Sequence, residues 1–227
     1  MSDTQGGAPR RPRPKEAGER RWPMAAAVLT GAVLQLILPH GNRIAPPWIF
    51  PSVEVIFLIV LIIGDPGRID RTSPRLRRLT IALIAVMTVA NGAAAGVLVR
   101  DILTSSPSDT ATILLGRGAA IWVTNIIVFS LWFWQLDRGG PAERAAGAGI
   151  RPSFAFPENA TPELAPAGWI PQYPDYLYLA FTNATAFSPT DTLPVATWAK
   201  MTMMLESAVS LAVAILVVAR AINILPQ

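Results

Sequence analysis

Cysteine is absent from the 227-residue chain, and histidine occurs once, at His40. Disulfides, thiolate metal sites, cysteine nucleophiles and any metal site built on several histidines are therefore excluded. Charge is scarce as well. Only 15% of residues are Asp, Glu, Lys or Arg, against 52% hydrophobic, where a soluble domain usually carries about 25% charged residues. The chain shows no phosphate-binding loop and no cluster of carboxylates at one depth, so nothing in it points to an enzyme. It shows no internal repeat of the kind secondary transporters carry. No apolar run holds basic residues at three-residue spacing, so a voltage-sensing helix is not expected.

What is present is a series of apolar runs. Residues 1–21 are polar, carry Arg10, Arg11, Arg13, Lys15, Arg20 and Arg21, and cannot bury a core. They read as a disordered basic tail. The apolar run that follows ends in Pro39-His40-Gly41-Asn42, without a small-residue cleavage site, so it reads as a retained helix rather than a signal peptide. A membrane-spanning helix needs about 20 largely apolar residues. The candidates are 22–39, 47–64, 79–99, 111–135 and 195–224. Proline favours the first turn of a helix and breaks its interior; Trp22-Pro23 opens the first span, while Pro46, Pro47 and Pro51 blur the start of the second. Trp48, Trp122, Trp132 and Trp134 suit the interfacial aromatic belt. The expected organisation is a tail (1–21), a four-helix transmembrane region (22–135), a Pro-, Gly- and Ala-rich loop (136–174) and a C-terminal unit (175–227).

Five spans put the tail, loop 65–78 and segment 136–194 on one side. That side collects fifteen basic residues, counting Lys200 at the start of the last span, against Arg43, Arg100 and Arg220 on the other. The positive-inside rule then places the N-terminus in the cytoplasm. The Ala/Arg/Pro-rich composition suggests a GC-rich bacterial genome, and hence the bacterial inner membrane.

The C-terminal unit carries the most specific pattern. Pro174-Asp175 is a helix-start signal, with Asp175 a candidate N-cap. A short Thr- and aromatic-rich helix follows, breaks at Ser188-Pro189-Thr190-Asp191, and gives way to a full span after Pro194. Short helix, polar turn and long helix is the layout of a re-entrant loop, which is tolerated at membrane depth only where it is buried in protein or lines water. The alternative is an interfacial helix followed by an ordinary loop. The fold class expected is an all-α membrane protein with about five transmembrane helices and a re-entrant pore helix and loop before the last.

The run Phe181-Thr182-Asn183-Ala184-Thr185-Ala186-Phe187-Ser188-Pro189-Thr190-Asp191-Thr192-Leu193-Pro194 resembles the pore segment of the potassium-channel superfamily. There Phe-Thr-x-x-Thr precedes Thr-Val-Gly-Tyr-Gly-Asp and a proline. The chain is also similar to a family of bacterial membrane proteins with a channel-like C-terminal end. The channel resemblance covers about 50 residues and implies a homotetramer, with four loops around one axis, a monovalent cation as permeant ion and no cofactor. The departures are specific. Ser188 and Thr190 stand where the filter glycines would be, and Pro189 replaces the tyrosine. Without glycine's freedom at positive φ, a ladder of carbonyls facing the ion is not expected. The segment offers instead the hydroxyls of Thr185, Ser188 and Thr190, a carboxylate ring from Asp191 and a constriction at Phe187, with Thr182 on the pore helix. That set favours cations weakly. No glycine lies between 195 and 227, so a glycine hinge is missing from the inner helix. Potassium channels insert this loop from outside, whereas the charge count places it on the cytoplasmic side; glutamate-receptor channels have that inverted arrangement, and the charge count is followed.

Three intramembrane charges remain. Glu206 in the last span could face the pore, pair between subunits, or stay protonated and hydrogen-bonded to a neighbouring helix. Glu54 and Arg117 fall at similar depth in the second and fourth spans and are expected to pair, as an internal staple or a gating latch. The basic tail and loop 65–78 suit anionic lipid headgroups; nucleic acid is disfavoured because no aromatic and basic binding fold accompanies them. Beside the channel stands a second reading, a non-conducting structural or partner-binding protein on a pore-like fold, favoured by Pro189.

Overall fold

The computed structural model describes residues 18–37, 46–104, 110–161, 163, 165–166, 168–185 and 191–224. These are mostly helical. In chain order they form β1 (Glu19–Arg20), α1 (Trp22–Ile37), α2 (Ile49–Gly64), β2 (Arg68–Ile69), α3 (Pro74–Leu103) and α4 (Ala111–Leu136). Then come α5 (Pro141–Ala145), β3 (Phe154–Ala155), α6 (Pro157–Ala160), α7 (Tyr173–Thr185), β4 (Leu193–Pro194) and α8 (Thr197–Ile224). Three helices, α3, α4 and α8, are long and apolar enough to cross a membrane, so this is a membrane protein with transmembrane helices. The apolar helices α1 and α2 have 16 residues each, about 24 Å at 1.5 Å per residue, against a hydrocarbon core of about 30 Å.

The ends of the helices follow local chemistry. Pro74 sits in the first turn of α3, where its missing N–H costs nothing. The Thr110 hydroxyl accepts from the Ile113 N–H and caps α4. After α4 the chain turns through Arg138, Gly139 and Gly140, all at positive φ, and only the two glycines adopt that region without strain.

Helix α4 is the core of the bundle and packs against α1, α3, α7 and α8. Of its most apolar stretch 56% is buried, against 33% for α3 and 28% for α8. Residues 124–131 of α4 are buried on every side. A helix apolar all round is one surrounded by protein. The faces of α1, α2 and α8 turned away from α4 stay exposed and apolar, with Ile37, Ile63, Met204, Ile215 and Ile222 among them.

One end of the bundle is closed by a polar and aromatic cap. It collects the start of α1, the end of α2, the start of α3, the end of α4 and the starts of α7 and α8. Strand β1 pairs antiparallel with β2, and β3 with β4. Arg21 holds Asp65, donating to its carboxylate at 3.1 Å and its backbone oxygen at 3.0 Å. Glu19 accepts from Trp134 Nε1 at 2.8 Å and from the Tyr173 N–H, with Arg144 at 3.7 Å. Burial pushes the Glu19 carboxyl above its ordinary range, opposed by those donors. Asp137, fully buried, accepts from the Ser153 N–H and the Tyr176 hydroxyl, both at 2.6 Å. Phe154 is wedged between Phe133 of α4, Tyr176 of α7 and Trp198 of α8, with ring centroids 5.2, 6.3 and 5.7 Å away. Edge-to-face pairs of this kind add about 0.5–1.5 kcal/mol each beyond the area they bury.

The cap corrects several expectations. The segment after α4, read as a loop, carries α5, β3 and α6 and supplies the central wedge. The end of the basic tail, from Gly18, belongs to the cap through β1; residues 1–17 lie outside the described residues. Trp134 is not an interfacial belt residue but is buried against Glu19. Trp132 donates to Thr88 Oγ1 at 3.0 Å. Trp48 is 61% exposed.

At the opposite end, α4 and α8 approach closely at Gly118. A Cβ there would lie 2.6 Å from Val217 Cγ2, too short for an unstrained contact. We predict that Gly118→Ala lowers stability by about 1–3 kcal/mol through overpacking, and that Val217→Ala in the same chain restores part of the loss. Thermal unfolding of the single and double variants in detergent reads the coupling; strictly additive losses would contradict this packing.

Candidate functional site

The segment with the channel-like pattern begins at α7. Its first turn is built by two carboxylates. Asp175 is the third helical residue, not the N-cap expected from sequence, and it accepts from the Gln172 N–H at 2.7 Å, as the acidic residue of a capping box does. Glu19, from the other end of the sequence, accepts the Tyr173 N–H. Both put negative charge at the N-terminus, where the helix dipole favours it. Tyr173, Tyr176, Leu179, Ala180 and Ala184 form the buried face of α7, and Tyr173 exchanges a hydrogen bond of 2.9 Å with Ser130 of α4. Tyr178 and Phe181 lie half-exposed on the outer face, where Phe181 meets Trp122 edge-on at 6.1 Å.

Helices α7 and α8 run side by side in the same direction. Asn183, ten residues into α7, donates to the Met203 carbonyl at 2.9 Å and to Glu206 Oε2 at 2.7 Å. Ser207 donates back to the Asn183 carbonyl at 3.0 Å. At the cap, the N–H of Val195, just before α8, donates to the Ser153 carbonyl at 2.8 Å, and Ser153 is bonded to Asp137 near the start of α7. Both helices therefore start at the cap. A 13-residue helix extends about 20 Å from the cap at 1.5 Å per residue, and Leu193–Pro194, in β4, lie at the cap again, paired with β3.

Of the residues expected to carry function, Phe187, Ser188, Pro189 and Thr190 lie outside the described residues. Thr182 donates to the carbonyls of Tyr178 and Leu179, and Thr185 to that of Thr182, so both hydroxyl protons are used within α7. Asp191 is exposed at the end of the connection. Glu206 is fully buried within one chain, between α7 and α8. Its Oε1 has no hydrogen-bond partner among the described residues.

Glu54 and Arg117 do not pair, contrary to expectation. Arg117, in α4, lies 3.5 Å from Asp101 of α3. Glu54, fully buried, accepts from Gln35 Nε2 of α1 at 2.8 Å, and its other oxygen has no hydrogen-bond partner among the described residues. The two charges start from the same end of the bundle, but each found a partner on the preceding helix.

The site also includes residues that sequence reasoning passed over. Asn125 of α4 donates to Ser210 Oγ at 3.0 Å and towards the Glu206 carbonyl at 3.5 Å, and Asn91 of α3 donates to Asn125 at 3.4 Å. Together with Asn183, Glu206 and Ser207 they make a polar seam across α3, α4, α7 and α8 halfway along the bundle. The available signal was the isolated amide in each apolar run, since polar groups inside a membrane are rare and face the bundle interior. Among the described residues no three acidic or histidine side chains gather as a metal site would need.

No family model, no curated protein and no solved structure matches this chain.

A buried carboxylate whose second oxygen has no hydrogen-bond partner among the described residues is costly to hold charged. We predict that Glu206→Gln changes stability by less than about 1 kcal/mol, whereas Glu206→Leu or Asn183→Leu costs about 1–3 kcal/mol by leaving a buried partner unsatisfied. Thermal unfolding of the three variants in the same detergent checks this. A loss in Glu206→Gln as large as in Glu206→Leu would show that the carboxyl is needed as an anion.

Proposed function

We propose that the chain is a channel-like integral membrane protein, a homotetramer with a weakly cation-selective pore lined by the connection from α7 to α8. The observation that carries this reading is the parallel placement of α7 and α8. A half-length helix followed by a return to the same end is the arrangement that puts non-helical backbone at membrane depth, which only a protein interior or a water-filled lumen accommodates. In this reading α1 and α2 cross the membrane with α3, α4 and α8, making five spans. The exposed apolar side of α8 is then shared between neighbouring inner helices and lipid. Four Asp191 carboxylates ring one mouth, and Phe187, Ser188, Pro189 and Thr190 line the path together with Thr185. A hydrated monovalent cation is the permeant species, since Pro189 and the missing filter glycines argue against a dehydrating carbonyl ladder.

The cap end carries Arg20, Arg21, Arg68, Arg71, Arg75, Arg77, Arg78, Arg138, Arg144, Arg151 and Lys200, against Arg100, Arg117 and Arg220 towards the other end. By the positive-inside rule the cap faces the cytoplasm of a bacterial inner membrane, and the loop enters from that side. In the second reading, the fold is retained without conduction. The observation in its favour is Pro189 itself, whose fixed φ restricts the backbone where a filter needs freedom.

The subunit count by native mass spectrometry in mild detergent separates these outcomes, followed by cation flux in liposomes. A tetramer with flux is expected. Asp191→Asn is expected to lower the preference for cations over anions severalfold by removing the ring of charge. A monomer or dimer leaves no closed ring for the loops to line and overturns the pore reading. A tetramer with no flux would favour the non-conducting reading.

A further inference from the structure

A cavity of about 360 Å³ opens in the cap between the stretch joining α2 to α3 and the end of α4. That size suits a small ligand rather than a single water. One wall is apolar, made by the part-exposed Leu76 and Ile81 with the buried Leu61 and Trp134 behind them. The rest is basic: Arg21, Arg71, Arg77 and Arg78 line it, opposed by Asp65 and Glu143. Asp65 is already held by Arg21 at 3.1 Å, with Arg71 at 3.8 Å. Arg77 and Arg78 are exposed and form no ion pair among the described residues; Arg78 donates only to the Pro74 carbonyl at 3.2 Å. Two guanidinium groups with no carboxylate partner among the described residues therefore stand at the rim of a half-apolar cavity. Leu61 is followed by the exposed Ile62 and Ile63, so apolar surface adjoins the cavity on α2.

We infer that this cavity is a binding site for a phosphate group, carried by an anionic phospholipid whose headgroup meets Arg77 and Arg78 and whose chain start lies along Leu76 and Ile81 towards Ile62 and Ile63. Guanidinium forks match phosphate oxygens in pairs and bind them with charge-assisted hydrogen bonds. Free phosphate shares that chemistry but has no use for the apolar wall. Basic pockets between helices at the cytoplasmic side are a general device for holding anionic headgroups. The site brings together loop 65–78 and the end of α4, which are distant in sequence, and so would link lipid composition to the stability of the cap. It does not depend on whether the chain conducts ions.

The test uses the full chain in a non-ionic detergent, titrated separately with dioleoylphosphatidylglycerol, dioleoylphosphatidylcholine and inorganic phosphate. Bound molecules are counted by native mass spectrometry, and the unfolding midpoint is followed in parallel. Phosphatidylglycerol is expected to be retained and to raise the midpoint, with phosphatidylcholine much weaker. The double variant Arg77→Gln/Arg78→Gln is expected to weaken retention about tenfold, two charge-assisted contacts being lost. Arg77→Lys/Arg78→Lys keeps the charge and is expected to retain part of it, and Arg151→Gln/Arg220→Gln, which removes equal charge elsewhere, is expected to bind as the parent does. Both rim arginines are exposed, and the midpoint without lipid verifies that each variant folds. Equal retention of the two lipids, or unchanged phosphatidylglycerol binding in Arg77→Gln/Arg78→Gln, overturns the proposal. Inorganic phosphate binding at the same arginines as strongly as the lipid overturns the lipid as its source.

Discussion

The side-chain amide of Asn183 donates to Glu206 and to the Met203 carbonyl, while the backbone carbonyl of Asn183 accepts from Ser207. This exchange fixes where α7 stops relative to α8. Inside an apolar bundle no water satisfies polar groups, so each must find a partner in the chain. Asn183 satisfies two acceptors on α8 at a depth where α7 is about to end. Around it, Asn91, Asn125 and Ser210 extend the same accounting to α3 and α4. The seam is thus the inner fastening of a half-length helix, and the return of the chain to the cap is its consequence.

The cap is the outer fastening. Glu19 and Asp137 are both buried carboxylates: Glu19 accepts from Trp134 and Tyr173 with Arg144 as a counter-charge, and Asp137 accepts from Ser153 and Tyr176 beside the adjacent Arg138. Removing one partner of such a group leaves a buried charge uncompensated, which is far more damaging than the net contribution of the pair suggests. Phe154 fills the space between the helix ends at the same level. The start of α7 is therefore fixed by the cap and its end by the seam.

Helix positions were legible in the sequence because apolar runs and prolines are local signals. The bounds 22–39, 47–64, 111–135 and 195–224 lie within a few residues of α1, α2, α4 and α8, and α3 extends beyond 79–99 at both ends. The short helix before the last span was legible for the same reason. The cap was not, since its contacts join residues 115 and 154 positions apart, from Glu19 to Trp134 and to Tyr173. The Glu54–Arg117 pairing failed because depth along a helix was used without its rotation: Gln35 and Asp101 lie on the adjacent helices and reach first. For Glu206 the sequence showed a buried carboxylate but not its partner. An asparagine near the end of a short helix carries no mark of which helix it will face.

The most direct test of the account is the sidedness of the connection between α7 and α8. The chain has no cysteine, so single cysteines can be introduced at Gln172, Leu193 and Asn223 and exposed to a membrane-impermeant thiol reagent from one side of oriented vesicles. A half-length α7 with a returning connection predicts that Gln172→Cys and Leu193→Cys react from the same side and Asn223→Cys from the opposite one. Labelling of Leu193→Cys only from the side of Asn223→Cys would mean that the chain crosses the membrane between residues 172 and 193, and would contradict the account.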